Sequence, residues 1–192
     1  MHPPAAPQIA AALYGAWRLL RFEPDGLHAF RVDAEAFWQS FFAAAIALPG
    51  YAILVSRHVG EPGSGTALAS AALLHACAYV INWTAFPLVT FYAAANLDRA
   101  ANWMGFVIAL NWSKVLQMAI YLPLVLIADT GVFGQGGGAL ITVVGFVAVL
   151  VYQWFVTRTA LDIAGPAAAG LTALDVLIGL VITTMTDAAV AA

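Results

Sequence analysis

Residues 103–128 read WMGFVIALNWSKVLQMAIYLPLVLIA, an apolar run holding one charge, Lys114, the sole lysine of the chain. About 20 largely apolar residues cross the roughly 30 Å hydrocarbon core of a bilayer as a helix. Helix is also the form that satisfies every backbone polar group of such a segment away from water. The stretch therefore reads as a membrane span with a cation inside it. A charge at the centre of a lipid-facing helix costs roughly 2.5–3.5 kcal/mol on insertion scales, so Lys114 is a candidate functional residue and needs a partner.

The rest of the chain has the same character. Of its 192 residues 63% are hydrophobic and 9% charged, with a mean hydropathy of +0.89, whereas soluble domains carry about 25% charged residues. A water-soluble core of this size could not hide so much apolar surface. Four more spans are expected at residues 36–55, 67–95, 139–157 and 167–185, which with 103–128 makes five. The expected architecture is an all-α polytopic helix bundle. Residues 1–35 form a cytoplasmic segment carrying an interfacial helix, and residues 36–192 form the transmembrane domain. Pro49-Gly50, Pro87 and Pro123 fall inside spans, where loss of a backbone donor predicts kinks.

Positive charges in short loops set orientation. A cytoplasmic N-terminus places Arg18, Arg21, Arg31, Arg99 and Arg158 inside and leaves Arg57 outside, so the C-terminus is expected to face out. Residues 60–65 and the glycine-rich 130–138 then become outward loops, and the latter reads as a flexible connector. The N-terminus lacks a basic region ahead of its apolar residues, which argues against a cleaved signal peptide. Six arginines to one lysine, with abundant alanine, point to a GC-rich bacterial genome and to the inner membrane.

Before the first span, Ile9, Leu13, Ala16 and Leu20 share one helical face, with Tyr14, Arg18 and Arg21 opposite and Trp17 on the flank. This is the pattern of an amphipathic helix lying in a headgroup layer. Trp17, Arg18 and Arg21 are the expected interfacial anchors; the helix either senses anionic lipid or simply orients the first span.

Helical spacing collects the polar residues of the spans into stripes. The second span carries His75, Tyr79 and Asn82 on one face. The third carries Asn111, Lys114, Met118 and Tyr121, with Gln117 beside them, and the fifth carries Thr172, Asp175, Gly179 and Thr183. Such stripes face the interior of a bundle. Asn82, Lys114 and Asp175 fall near the middle of their helices, so a Lys114–Asp175 ion pair with Asn82 alongside is the economical expectation. Two readings stay open for the cluster of His75, Tyr79, Asn82, Asn111, Lys114, Gln117 and Asp175. It is a polar clamp that selects helix partners, or part of a proton or solute path.

Other chemistries find little support. Seven Lys and Arg residues without a basic run offer no surface for nucleic acid. The four histidines sit in four regions without ligand spacing, so neither a metal site nor another cofactor is expected. Cys77 is the one cysteine and reads as a small apolar residue. No nucleophile elbow, dinucleotide fingerprint or phosphate loop occurs, and no acid and base cluster near an interface as a lipid-modifying enzyme would require.

A lead helix with RLLRFEP at residues 18–24, an aromatic-led first span opening AFWQSFF at 36–42, four further spans and an outward C-terminus together resemble the Yip/Yif family of five-span membrane proteins. That resemblance implies a non-enzymatic role. The family's eukaryotic members organise membrane traffic, and it has no catalytic residues to carry over. The expected function is an organising or assembly subunit that binds itself or other membrane proteins within the lipid bilayer. The alternative is a small proton-coupled transporter or channel subunit using the midplane cluster.

Overall fold

The computed structural model describes residues 2–57 and 65–191 and holds helices but no strand among them. Its helices are α1 (Ala6–Leu20), α2 (Ala34–Ser40), α3 (Phe42–Ser56), α4 (Gly65–Asn96), α5 (Trp103–Asp129), α6 (Gly134–Leu161) and α7 (Gly165–Ala191). Five segments are long and apolar enough to cross a membrane: Ala34–Ser56, Leu68–Asn96, Ala100–Asp129, Gly136–Leu161 and Gly165–Ala191. The chain is thus a multi-pass membrane protein with an all-helical bundle.

α5 is the hub. It packs against α1, α2, α3, α4 and α6, while α7 closes the bundle against α4 and α6. The turns following α1, α4 and α6 lie at one end, called here the near face, and those following α3 and α5 lie at the far face. All three near-face turns use a left-handed residue, namely Phe22, Asp98 and Asp162. Aspartate tolerates that conformation through local hydrogen bonding. Phe22 does not, and its ring is held edge-on against Phe155 at 5.1 Å. Arg99 ties two of these turns together, donating to the Asp162 carbonyl at 2.8 Å. Asn102 donates to the Leu161 carbonyl at 3.1 Å.

The first span is interrupted at Phe41, between α2 and α3, whereas Pro49, Pro87 and Pro123 each sit inside a continuous helix. Neighbouring side chains supply hydrogen bonds in these regions, as buried membrane helices require. Tyr79 donates to the Ala44 carbonyl at 2.6 Å, in the turn before Pro49. Trp103 Nε1 donates to the Pro87 carbonyl at 3.0 Å.

One expectation for the outward loops changes. The glycine run expected as an outward connector is helical from Gly134 onward. There Gly138 lies so close to α5 that a Cβ would sit 2.8 Å from the Ala128 carbonyl oxygen, so this glycine serves close helix approach. The expected outward loop at 60–65 lies outside the described residues, as does His58, except that Gly65 opens α4.

α1 does not stand apart from the bundle. It packs on α5 and α6 through Ala12, Ala16 and Leu19, with Ile9, Leu13 and Leu20 at the margins. The Tyr152 hydroxyl donates to the Ala16 carbonyl at 2.7 Å and pairs with Ser113 Oγ at 2.9 Å. The chain then turns back as a 3-10 segment over Pro24–Ala29. At Gly15 and Gly26 the two strands of this elbow touch backbone to backbone, and a Cβ on Gly26 would lie 2.6 Å from the Gly15 carbonyl oxygen.

Candidate functional site

Five helices direct their polar residues toward one space. A cavity of about 280 Å³ is lined from α3 by Tyr51, from α4 by Asn82 and Trp83, from α5 by Lys114 and Gln117, from α6 by Gln153, and from α7 by Asp175 and Gly179. These residues share a level. At 1.5 Å per residue, Lys114 lies about 16 Å along α5 from Trp103, Asp175 about 15 Å along α7 from Gly165, and Gln153 about 12 Å along α6 from Leu161. Depth along three apolar helices therefore sets the lysine, the aspartate and the glutamine at one level, and helix packing brings them into one chamber.

They do not form the ion pair expected from the sequence. Lys114 Nζ lies over the Trp83 ring, 5.5 Å from its centroid, an arrangement in which the negative face of the ring attracts the cation. Asp175 Oδ2 instead accepts a hydrogen bond of 2.6 Å from Gln153 Nε2. Each charge is thus held by a neutral partner on a neighbouring helix. Beside them Gln117 is 8% exposed and its Nε2 has no hydrogen-bond partner. A buried amide donor left unpaired costs about 1–3 kcal/mol, and this one lines the same cavity.

Tyr79 and Tyr51 form an aromatic wall. Their ring centroids are 4.5 Å apart, and Tyr79 also meets Trp83 edge-on at 6.0 Å. Asn82 and Tyr51 further line an adjoining cavity of about 200 Å³ toward the far face, together with His75, Thr183 and Asp187. His75 therefore stands outside the central chamber, and its carbonyl accepts a 3.4 Å bond from the Tyr51 hydroxyl. Asn111 is turned away altogether. It is fully buried and donates to Ser40 Oγ on α2 at 2.9 Å, so its role is to fix α2 on α5.

Of the residues singled out in the sequence, Tyr79, Asn82, Lys114, Gln117 and Asp175 meet at the cavity. Gln153 and Tyr51 join them unannounced. The signal for Gln153 was its isolation, one amide within the apolar stretch 139–157; Tyr51 carried none that separates it from other aromatics.

At the near face Arg18 Nε pairs with Glu23 at 2.8 Å and Arg18 Nη2 with Asp25 at 3.6 Å, while Arg21 pairs with Glu23 at 3.2 Å. The hydrogen bond from Arg18 holds the Glu23 carboxyl below its ordinary pKa. Trp17 is 49% exposed and Arg21 is exposed, both on the outward side of α1. No group of three or more His, Cys, Asp or Glu residues able to hold a metal occurs among the described residues. No family model, curated protein or solved structure matches the chain.

Proposed function

We propose that this protein is a small transporter or channel subunit that binds a polar solute in the central cavity, in a bacterial inner membrane and with its N-terminus in the cytoplasm. One observation carries the reading. A chamber touched by all five spans contains one ammonium and one carboxylate that are not joined to each other. A clamp whose purpose is helix packing gains most when the charges meet, because each buried ion is costly unless compensated directly. Charges held apart and supported by neutral groups leave their outward valences for a third party. An organising subunit, the role implied by the family resemblance, needs no such chamber.

The adjoining cavity with His75 and Asp187 gives the solute or a proton a route toward the far face. The side chains act by binding and orientation; no covalent chemistry is assigned to them. Oligomerisation of this five-span unit belongs to the same proposal.

The test is flux in reconstituted vesicles, using labelled amino acids, sugars and organic acids with and without a proton gradient. Gly179→Phe is the informative variant, since a Cβ at Gly179 meets nothing nearer than Asn82 Oδ1 at 3.9 Å and a ring there fills the chamber. Uptake of at least one solute class by the wild type, lost in the folded Gly179→Phe protein, supports the reading. Absence of any uptake, or uptake indifferent to the variant, overturns it.

A further inference from the structure

We propose, resting on the reading above, that the solute is a zwitterion of amino-acid size with an apolar side chain, its carboxylate directed at Lys114 and Gln117 and its ammonium at Asp175. Charge balance selects the class. The chamber presents one cation and one anion, each within reach of a solute and neither neutralised by the other. An anionic solute would satisfy Lys114 and bring a second negative charge near Asp175. A cationic solute would do the reverse. A neutral solute would leave both charges supported only by Trp83 and Gln153. A zwitterion compensates both and adds no net charge to a low-dielectric site, where uncompensated charge is most costly.

The unpartnered amide supports the same polarity. Gln117 Nε2 is buried, lines the chamber and has no acceptor, and it stands one helical turn from Lys114 on α5. A carboxylate has two oxygens and about four lone-pair sites, enough to accept from the ammonium and the amide together. At the opposite wall Asp175 Oδ2 is engaged by Gln153 Nε2, and an ionised carboxylate retains further acceptor capacity for a solute ammonium.

Size and lining narrow the class further. The cavity of about 280 Å³ lies just below the range of about 300–1,000 Å³ of drug-sized ligand pockets. Asn82 and three tyrosine rings stand in the wall beside the charged groups, and Ala47, Met118, Phe146 and Val149 complete it. That apolar portion can seat an aliphatic side chain.

Three probes of one shape separate the terms: L-leucine, 4-methylpentanoate, which lacks the amine, and 3-methylbutylamine, which lacks the carboxylate. Equilibrium binding to the full chain in lipid nanodiscs is expected to favour leucine by about 100-fold or more over either analogue, since each leaves one half-buried intramembrane charge unmatched. In Lys114→Met the advantage of leucine over 3-methylbutylamine should collapse to within a few fold. In Asp175→Asn the advantage over 4-methylpentanoate should collapse likewise. Thermal unfolding of each variant checks the fold, and the wild-type series decides the matter even if a variant fails to fold. Leucine binding no tighter than both analogues, or selectivity that survives in both folded variants, overturns the inference. If no probe binds while vesicles take up another solute class, the zwitterion is wrong and the transport reading stands; if no probe binds and no solute enters, both fall.

Discussion

The two halves of the bundle are built differently. Toward the near face, residues 106–113 of α5 are buried without interruption, surrounded by Phe86, Leu161, Leu171, Tyr152 and Val156. Beyond Lys114, only Gln117 and Val125 of α5 are buried. There α3 and α4 leave a crevice of about 440 Å³ between them, and the Arg57–Asp129 ion pair joins α3 to α5 at the far end. The near half has clefts of about 150 and 370 Å³ at its α1–α2 margin, but α5 is buried continuously there, whereas in the far half it is not. Protein interiors packed to crystal density transmit strain and resist deformation, so the near half acts as a fixed base. The polar chamber sits at the boundary, and under the transport reading proposed above any motion that admits a solute is expected in the far half.

The sharpest way to break this contrast is to hollow each half in turn. Phe106→Ala, in the near half, should cost about 3–5 kcal/mol, because Phe106 is fully buried and packs edge-on against Phe86 at 6.2 Å. Phe146→Ala, on the rim of the chamber and 43% exposed, should stay within about 1 kcal/mol. Reversible unfolding in mixed micelles measures both, and equal costs would erase the distinction between the halves.

Glycines offer a second contrast. Gly26→Ala places a Cβ against the backbone of Gly15 and Leu19, which cannot yield as a flexible side chain would, so a loss of roughly 1–3 kcal/mol is expected. Faster tryptic cleavage at Arg21 and Arg31 would report the opened elbow. Gly170→Ala, with open space around it in α7, should gain roughly 0.5–1 kcal/mol from reduced backbone freedom in the unfolded chain.

A comparable effect probes the seam between α1 and the near half. Tyr152→Phe removes the hydroxyl that meets Ala16 and Ser113 and should cost about 1–3 kcal/mol by leaving the Ala16 carbonyl with one partner fewer. Solute binding at the chamber should be unchanged, and a large loss of binding would couple the elbow to the site.

The smallest effect is electrostatic. Glu23 has its pKa lowered by Arg18, so its contribution to elbow docking is present above the ordinary value of 4.5 and is lost as pH falls through the lowered folded value. The thermal stability of the folded chain should be unaffected by this pair from neutral pH down to about 4.5, weaken as pH falls from there through the lowered value, and lose nothing further from it below that. Both groups are solvent-facing, so added salt should reduce the effect. Weakening that sets in near neutral pH would assign the elbow to other contacts.

Much of this was readable in advance. Spans follow from hydropathy and length, because a membrane imposes one backbone solution on any long apolar segment. Asn82, Lys114, Gln117 and Asp175 were legible as inward-facing, since spacing along one helix decides which residues share its face. Spacing does not decide which inward face meets which neighbour. Asn111 shares a stripe with Lys114 yet bonds Ser40, because a stripe covering two turns faces α2 at one end and the chamber at the other. For Lys114 and Asp175, depth matched but direction did not, as each side chain found a nearer partner on the adjacent helix.

By itself, then, the sequence determined that five helices cross a membrane, which faces turn inward, and that a lysine and an aspartate lie at a similar depth. These are properties of single helices in an apolar medium, set by 3.6-residue periodicity and by the cost of exposing polar groups to lipid. Only the tertiary structure decided that the two charges share a chamber without touching, that Gln153 and Trp83 hold them, that α1 is packed onto α5 and α6, and that α5 is buried continuously in one half and not in the other. Those outcomes depend on how neighbouring helices are rotated and spaced. Close approach at Gly15, Gly26 and Gly138 and side-chain fit around α5 set that arrangement, and no single helix encodes it.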